Sequence, residues 1–219
     1  MKTLSRTPLI VALAVALAAA ASPTLVLAQA AAPAAAQQGA PSKLVLDNTK
    51  RILETLEKRR GEFTRDRGAL RTFVAGELNT IFDRDYSARQ VLARHARGAS
   101  DADIALFGDA LTDGLLQRYG SSLLDFNTQL RVRIKSETPL PRGIGVRVSS
   151  ELLRSGGEPI PVDYLMRQTG GGWKVFDVMI EGVSMVQTFR QQFDAELQNK
   201  SIRQVATELR NGQIKAGTN

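Results

Sequence analysis

Cysteine is absent from the 219 residues, and histidine occurs once, at His95. The first absence removes disulfides, thiolate metal ligands and thiol nucleophiles. The second leaves a metal site without the imidazoles it would need, and no cofactor is expected. Aromatic residues make up only 5% of the chain, and Lys and Arg are spread along it rather than interleaved with aromatics, so nucleic acid is not an expected partner. A serine triad would have to use His95, which stands between Arg94 and Arg97, and no Gly-x-Ser-x-Gly elbow is present. His95 therefore reads as a locally bonded helix-end residue, and the chain is not expected to be an enzyme.

What is present begins with a targeting signature. Lys2 and Arg6 precede an apolar run from Leu9 to Ala21, and Val26-Leu27-Ala28 has the small-residue pattern of a cleavage site. Residues 1–28 are thus expected to be a signal peptide, and the mature protein is expected in the periplasm of a bacterial envelope. With no cysteine after the apolar run, a lipoprotein anchor is not expected. Residues 29–41 contain only Ala, Pro, Gln and Gly and read as a disordered leader, and 42–219 read as a single domain. The precursor's formal charge is +7; without Lys2 and Arg6 it is +5, a mildly basic surface suited to transient contact with anionic membranes or acidic partners.

The domain's first half has the helical period. Val45, Ile52, Leu53 and Leu56 mark a helix over 43–59, and Leu70, Phe73, Val74, Leu78, Ile81 and Phe82 a second over 67–83. Ser87 with Gln90 predicts a capped short helix to His95, and Ser100 with Asp101 and Asp103 starts another, lined by Ile104, Phe107, Leu111 and Leu115 and extended by Leu123, Leu124 and Phe126. At Asn127 the period changes to two. Four strands follow, turning at Pro139–Gly143, Ser155–Pro159 and Gly170–Gly172, and two helices, 184–198 and 201–209, close the chain. The predicted fold is α+β, with helices packed on one curved four-stranded antiparallel sheet.

The stretch from Gly172 to Phe193 organises the rest. Alternation places Trp173, Val175 and Met179 on one strand face and Phe176, Val178 and Ile180 on the other. Ser184 and Gln187 then form a capping-box pattern before an apolar stripe of Met185, Val186, Phe189 and Phe193. Asp163 and Asp177 interrupt otherwise apolar strands. Either could serve as a general base, with Tyr164 as acid, in a small cone-fold isomerase or dehydratase. The alternative for each is a structural carboxylate paired with a neighbouring strand.

Pro161-Val-Asp-Tyr164, Gly170-Gly-Gly-Trp-Lys-Val-Phe-Asp-Val178, Ile180-Glu-Gly-Val-Ser-Met-Val186 and Phe189-Arg-Gln-Gln-Phe193 together resemble the MlaC family, also called toluene-tolerance proteins. The resemblance implies a soluble periplasmic carrier that moves phospholipid between an outer-membrane lipoprotein and porin complex and an inner-membrane ABC transporter, maintaining outer-membrane asymmetry. Withdrawing a methylene into water costs ~0.8 kcal/mol, so two acyl chains of about sixteen carbons would cost on the order of 25 kcal/mol exposed. Such a ligand implies a deep apolar cavity, at or above the upper end of the ~300 to 1,000 Å³ of ordinary pockets. Phe82, Leu115, Tyr119, Val146, Val148, Tyr164, Met166, Val178, Ile180, Met185 and Phe189 are its expected walls. Arg131, Arg133 and Lys135 are candidates to meet a phosphate or an acidic docking surface, against the default of a solvated outer sheet face.

Overall fold

The structure, a computed structural model, describes residues 39–119, 124, 130–154 and 157–217. The expected signal peptide, most of the leader, and Leu123 and Phe126 lie outside the described residues. Five helices come first: α1 (Ala40–Lys58), α2 (Arg60–Arg65), α3 (Arg67–Ile81), α4 (Arg84–Leu92) and α5 (Asp101–Tyr119). Strands β1 (Arg131–Pro139), β2 (Val146–Leu153), β3 (Ile160–Thr169), β4 (Gly172–Ile180) and β5 (Val183–Ser184) follow, then α6 (Met185–Asn199) and α7 (Ile202–Arg210).

The helix starts are set by side-chain caps. Asp66 accepts from Ala69 N (3.0 Å), Ser100 from Asp103 N (3.1 Å), Ser184 from Gln187 N (3.0 Å) and Ser201 from Gln204 N (3.2 Å). Helix α1 begins at Ala40, inside the stretch expected as leader; Pro41 occupies its first turn, where a missing N–H costs nothing. Glu137 on β1 accepts from Ser42 N (3.1 Å) and Ser42 Oγ (2.6 Å), placing a carboxylate at the positive end of that helix. Helix α4 is capped by Asp83 rather than by Ser87. Ser87 sits a turn inside, its hydroxyl within bonding distance of the carbonyl oxygens of Asp83 (2.8 Å) and Phe176 (2.6 Å).

The sheet is one antiparallel meander in the order β1-β2-β3-β4-β5. It has five strands rather than the expected four. The fifth is two residues long, too short to show a period, and is turned back by Glu181 (φ 50°) and Gly182 (φ 82°), the paired positive φ of a type I′ turn. At the β2 entry, Gly145 (φ 153°) passes so close to β3 that a Cβ there would stand 1.8 Å from Met166 O.

A bulge in β4 overturns the simple alternation. Met166 pairs with Val175 but Leu165 with Asp177, leaving Phe176 extra. Val175 and Val178 therefore share one face of the sheet, the face of their cross-strand partners Met166 and Tyr164. The backbone groups at the bulge do not go unpaired: Asp83 N donates to Val175 O (2.7 Å), and Phe176 O meets Ser87. Thus the α3–α4 junction covers an edge that β5 pairs only at Met179 and Ile180.

Two packed layers result. Val148, Met166 and Val175 meet Val45 of α1 and Ile81 of α3 in a sheet-side core. A larger helical core joins Leu92, Ile104, Phe107, Phe193, Val205 and Leu209, with Phe107 and Phe193 edge-to-face at 5.5 Å. Arg190 ties α6 to α4 by donating to Gln90 O through Nε (2.9 Å) and Nη2 (2.6 Å).

Candidate ligand-binding site

Between these cores lies an apolar pocket of about 490 Å³. Helix α5 supplies Leu111, Leu115 and Leu116, α4 supplies Ala88 and Val91, and α6 supplies Met185, Val186 and Phe189. The end of β4 contributes Val178 and Ile180, and Phe82 closes the α3 side. The bulge is what allows this: by turning Val178 and Ile180 onto the face that carries Val175, it lets one strand serve the solid core at one end and the pocket at the other.

The polar residues in the wall are bonded inside the protein. Asp177, 8% exposed, accepts from Ser184 Oγ (2.6 Å) through Oδ2 and from Val186 N (3.0 Å) through Oδ1, so a strand carboxylate and the N-cap serine jointly close the start of α6. Thr112 donates to Gly108 O (2.8 Å) and Thr188 to Ser184 O (2.9 Å). Arg84 bonds Asp109 and Asn79. With Asp177, Thr112 and Thr188 bonded internally, the wall offers a ligand mainly hydrocarbon.

Six of the expected wall residues, Phe82, Leu115, Val178, Ile180, Met185 and Phe189, come together here. Tyr119 ends α5, and its side chain lies outside the described residues. Val146, Val148, Tyr164 and Met166 do not line the pocket; α1 lies over that part of the sheet and they pack against Val45 in the sheet-side core. The pocket is correspondingly smaller than expected for a whole diacyl lipid, at the lower half of the ordinary range rather than its top. The rest of the apolar wall comes from Leu78, Ala88, Val91, Gly108, Leu111, Leu116, Val183 and Val186. Ala88 and Gly108 carried no signal as pocket residues, because their role comes from the crossing of α4 and α5.

The remaining candidates have structural partners. Burial raises the Tyr164 phenol above its ordinary value, opposed by hydrogen bonds with Thr49 and Ser150. Asp163 stands on the outer sheet face, 3.8 Å from Arg147 Nη1, away from Tyr164. Also on that face, Glu151 meets Arg133 (2.5 Å) and Lys135 (3.0 Å), which hold its carboxyl below the usual range. His95 Nε2 lies 3.0 Å from Asp194 Oδ1 on α6. Among the described residues there is no cluster of His, Cys, Asp or Glu that could hold a metal ion, and no helix long and apolar enough to cross a membrane.

A meander sheet backed by helices, with an apolar pocket where the last strand turns into α6, defines a small α+β ligand-binding protein. The chain belongs to the MlaC family, whose model, described as MlaC protein, matches residues 46–211. It is 25% identical over 161 residues to the toluene tolerance protein ttg2D of Pseudomonas putida, covering 72% of this chain and 73% of that one. It is 22% identical over 172 residues to the Haemophilus influenzae intermembrane phospholipid transport system binding protein MlaC, covering 77% and 80%. A phospholipid-binding protein from Ralstonia solanacearum, solved in complex with a phospholipid, shares the fold at a TM-score of 0.69 and 20% identity, over 78% of this chain and 97% of that one.

Proposed function

We propose that this chain is a periplasmic phospholipid carrier that holds acyl chain in the pocket between α4, α5, α6 and the end of β4, and exchanges its lipid with an outer-membrane lipoprotein and porin complex and an inner-membrane ABC transporter. The observation that carries the reading is the wall itself: apolar side chains around about 490 Å³, with Thr112, Asp177 and Thr188 bonded within the protein. Such a site gains free energy from hydrocarbon at ~0.8 kcal/mol per methylene buried. The names of the Haemophilus and Ralstonia proteins point to the same class of ligand. A second acyl chain requires the wall to widen.

Native mass spectrometry of the purified protein tests the proposal. Bound diacyl phospholipid masses are expected, either on isolation or after incubation with phosphatidylglycerol vesicles. Protein that stays ligand-free in both conditions overturns it.

A further inference from the structure

The pocket wall contains one basic side chain among the described residues, Arg84 at the first position of α4. Its stem lies flat on α5 because residue 108 is glycine: a Cβ there would stand 3.1 Å from Arg84 Cγ. The Arg84 side chain is 33% exposed beside half-buried Asp109, so it runs from the hydrocarbon wall toward water. A guanidinium carries five N–H donors in a planar fork. One on Nη1 meets Asp109 and one on Nη2 meets Asn79, leaving donors on Nε and on both terminal nitrogens.

Resting on the carrier reading above, we propose that Arg84 is the phosphate contact of the site: it binds the phosphodiester of a lipid whose chain fills the pocket, and Asp109 is the counter-ion that occupies it otherwise. Planar, bidentate donation to a phosphate is what this side chain does best. Every phospholipid carries that group, so the contact selects phospholipid over neutral diacylglycerol without selecting among head groups. Asp109 repels the same phosphate while holding Arg84 in place.

Substitutions on the two sides of the ion pair are then expected to act in opposite directions. Full-length protein is incubated with vesicles of dioleoyl phosphatidylglycerol and dioleoylglycerol, and native mass spectrometry reads the ratio bound. Arg84→Gln should lower the ratio about tenfold, the share of one charge-assisted hydrogen bond, while diacylglycerol still loads. Asp109→Asn should hold the ratio or raise it. A purely structural ion pair would make both variants lose both lipids alike, and that result, or an unchanged ratio in Arg84→Gln, overturns the inference. Should Arg84→Gln not fold, Arg84→Lys keeps the charge without the fork and must still lower the ratio. Inorganic phosphate alone should not shift the wild-type melting midpoint; an Arg84-dependent shift would mark a free-anion site instead and overturn the lipid assignment. Wild-type protein that takes up neither lipid refutes the carrier reading itself.

Discussion

The two sides of the sheet-and-helix sandwich are built from the same residue types and differ in whether they are filled. Where α1 lies on the sheet, Val148 and Met166 are fully buried and pack against Val45. Where α4, α5 and α6 approach the end of β4, residues of equal hydrophobicity stand around empty volume. Hydrophobic pattern predicts burial on both sides and does not say which will be hollow. The difference comes from backbone features: the Phe176 bulge, the cap of Asp177 and Ser184 on α6, and the crossing at Gly108. The filled side should govern stability, and the hollow side should govern ligand.

Met166→Ala is the largest test of the filled side. Removing a fully buried side chain from a packed core costs about 2 to 5 kcal/mol, more where neighbours cannot collapse. Met166 is held between β2 and β4 opposite Val146 and Val175, and its carbonyl abuts Gly145, so collapse is restricted. Urea unfolding should show that loss, while lipid load per folded molecule stays at the wild-type level. A load that falls in proportion to stability would show that the two sides act as one.

Leu115→Trp makes the converse test on the hollow side. Leu115 is half-buried on the pocket wall, so the larger ring can enter existing volume. Displacing a few methylenes of lipid forfeits about 2 kcal/mol, so retention should fall roughly thirtyfold. The unfolding free energy should change by no more than about 1 kcal/mol, because no packed neighbour has to move. Native mass spectrometry and urea unfolding on the same preparation read both numbers. A strongly destabilised variant would mean that the volume is not available to a side chain.

The order of helices then meander, the caps at Ser100 and Ser184, and the Gly170–Gly172 hairpin rest on local chemistry and are visible in the residues. The placement of Val146, Val148, Tyr164 and Met166 was not, because a strand pattern tells which residues share a face and not which helix covers it. The bulge misled more sharply. Strict alternation puts Val175 and Val178 on opposite faces, and one extra residue joins them. The run Val175-Phe176-Asp177-Val178 is apolar on both sides of Asp177, so the pattern does not mark where alternation breaks. Asp177 was legible as an interruption, but its task depends on Ser184 and Val186 arriving from the next element.

Acid should separate the two sides least, and in a defined sense. On the helical side the His95 ring, then the Gln198 amide, hold the Asp194 carboxyl below its usual range, and the Lys200 ammonium does the same to Glu208. On the sheet side Arg133 and then Lys135 do so to Glu151. A carboxyl depressed in the folded state contributes stability that is present above its unfolded value, about 4, and is lost as pH falls through the lower folded value. None of the three groups is fully buried, so each contribution is small and screened by salt. The melting midpoint should therefore drop between pH 5 and pH 3 by less in Asp194→Asn than in wild type, the variant having already lost that contribution at the higher pH. Glu151→Gln should narrow the drop in the same way from the opposite side of the molecule, and the double variant should narrow it by the sum, since distant sites with no shared partner add. Equal drops in wild type and all variants would place the acid sensitivity elsewhere in the chain.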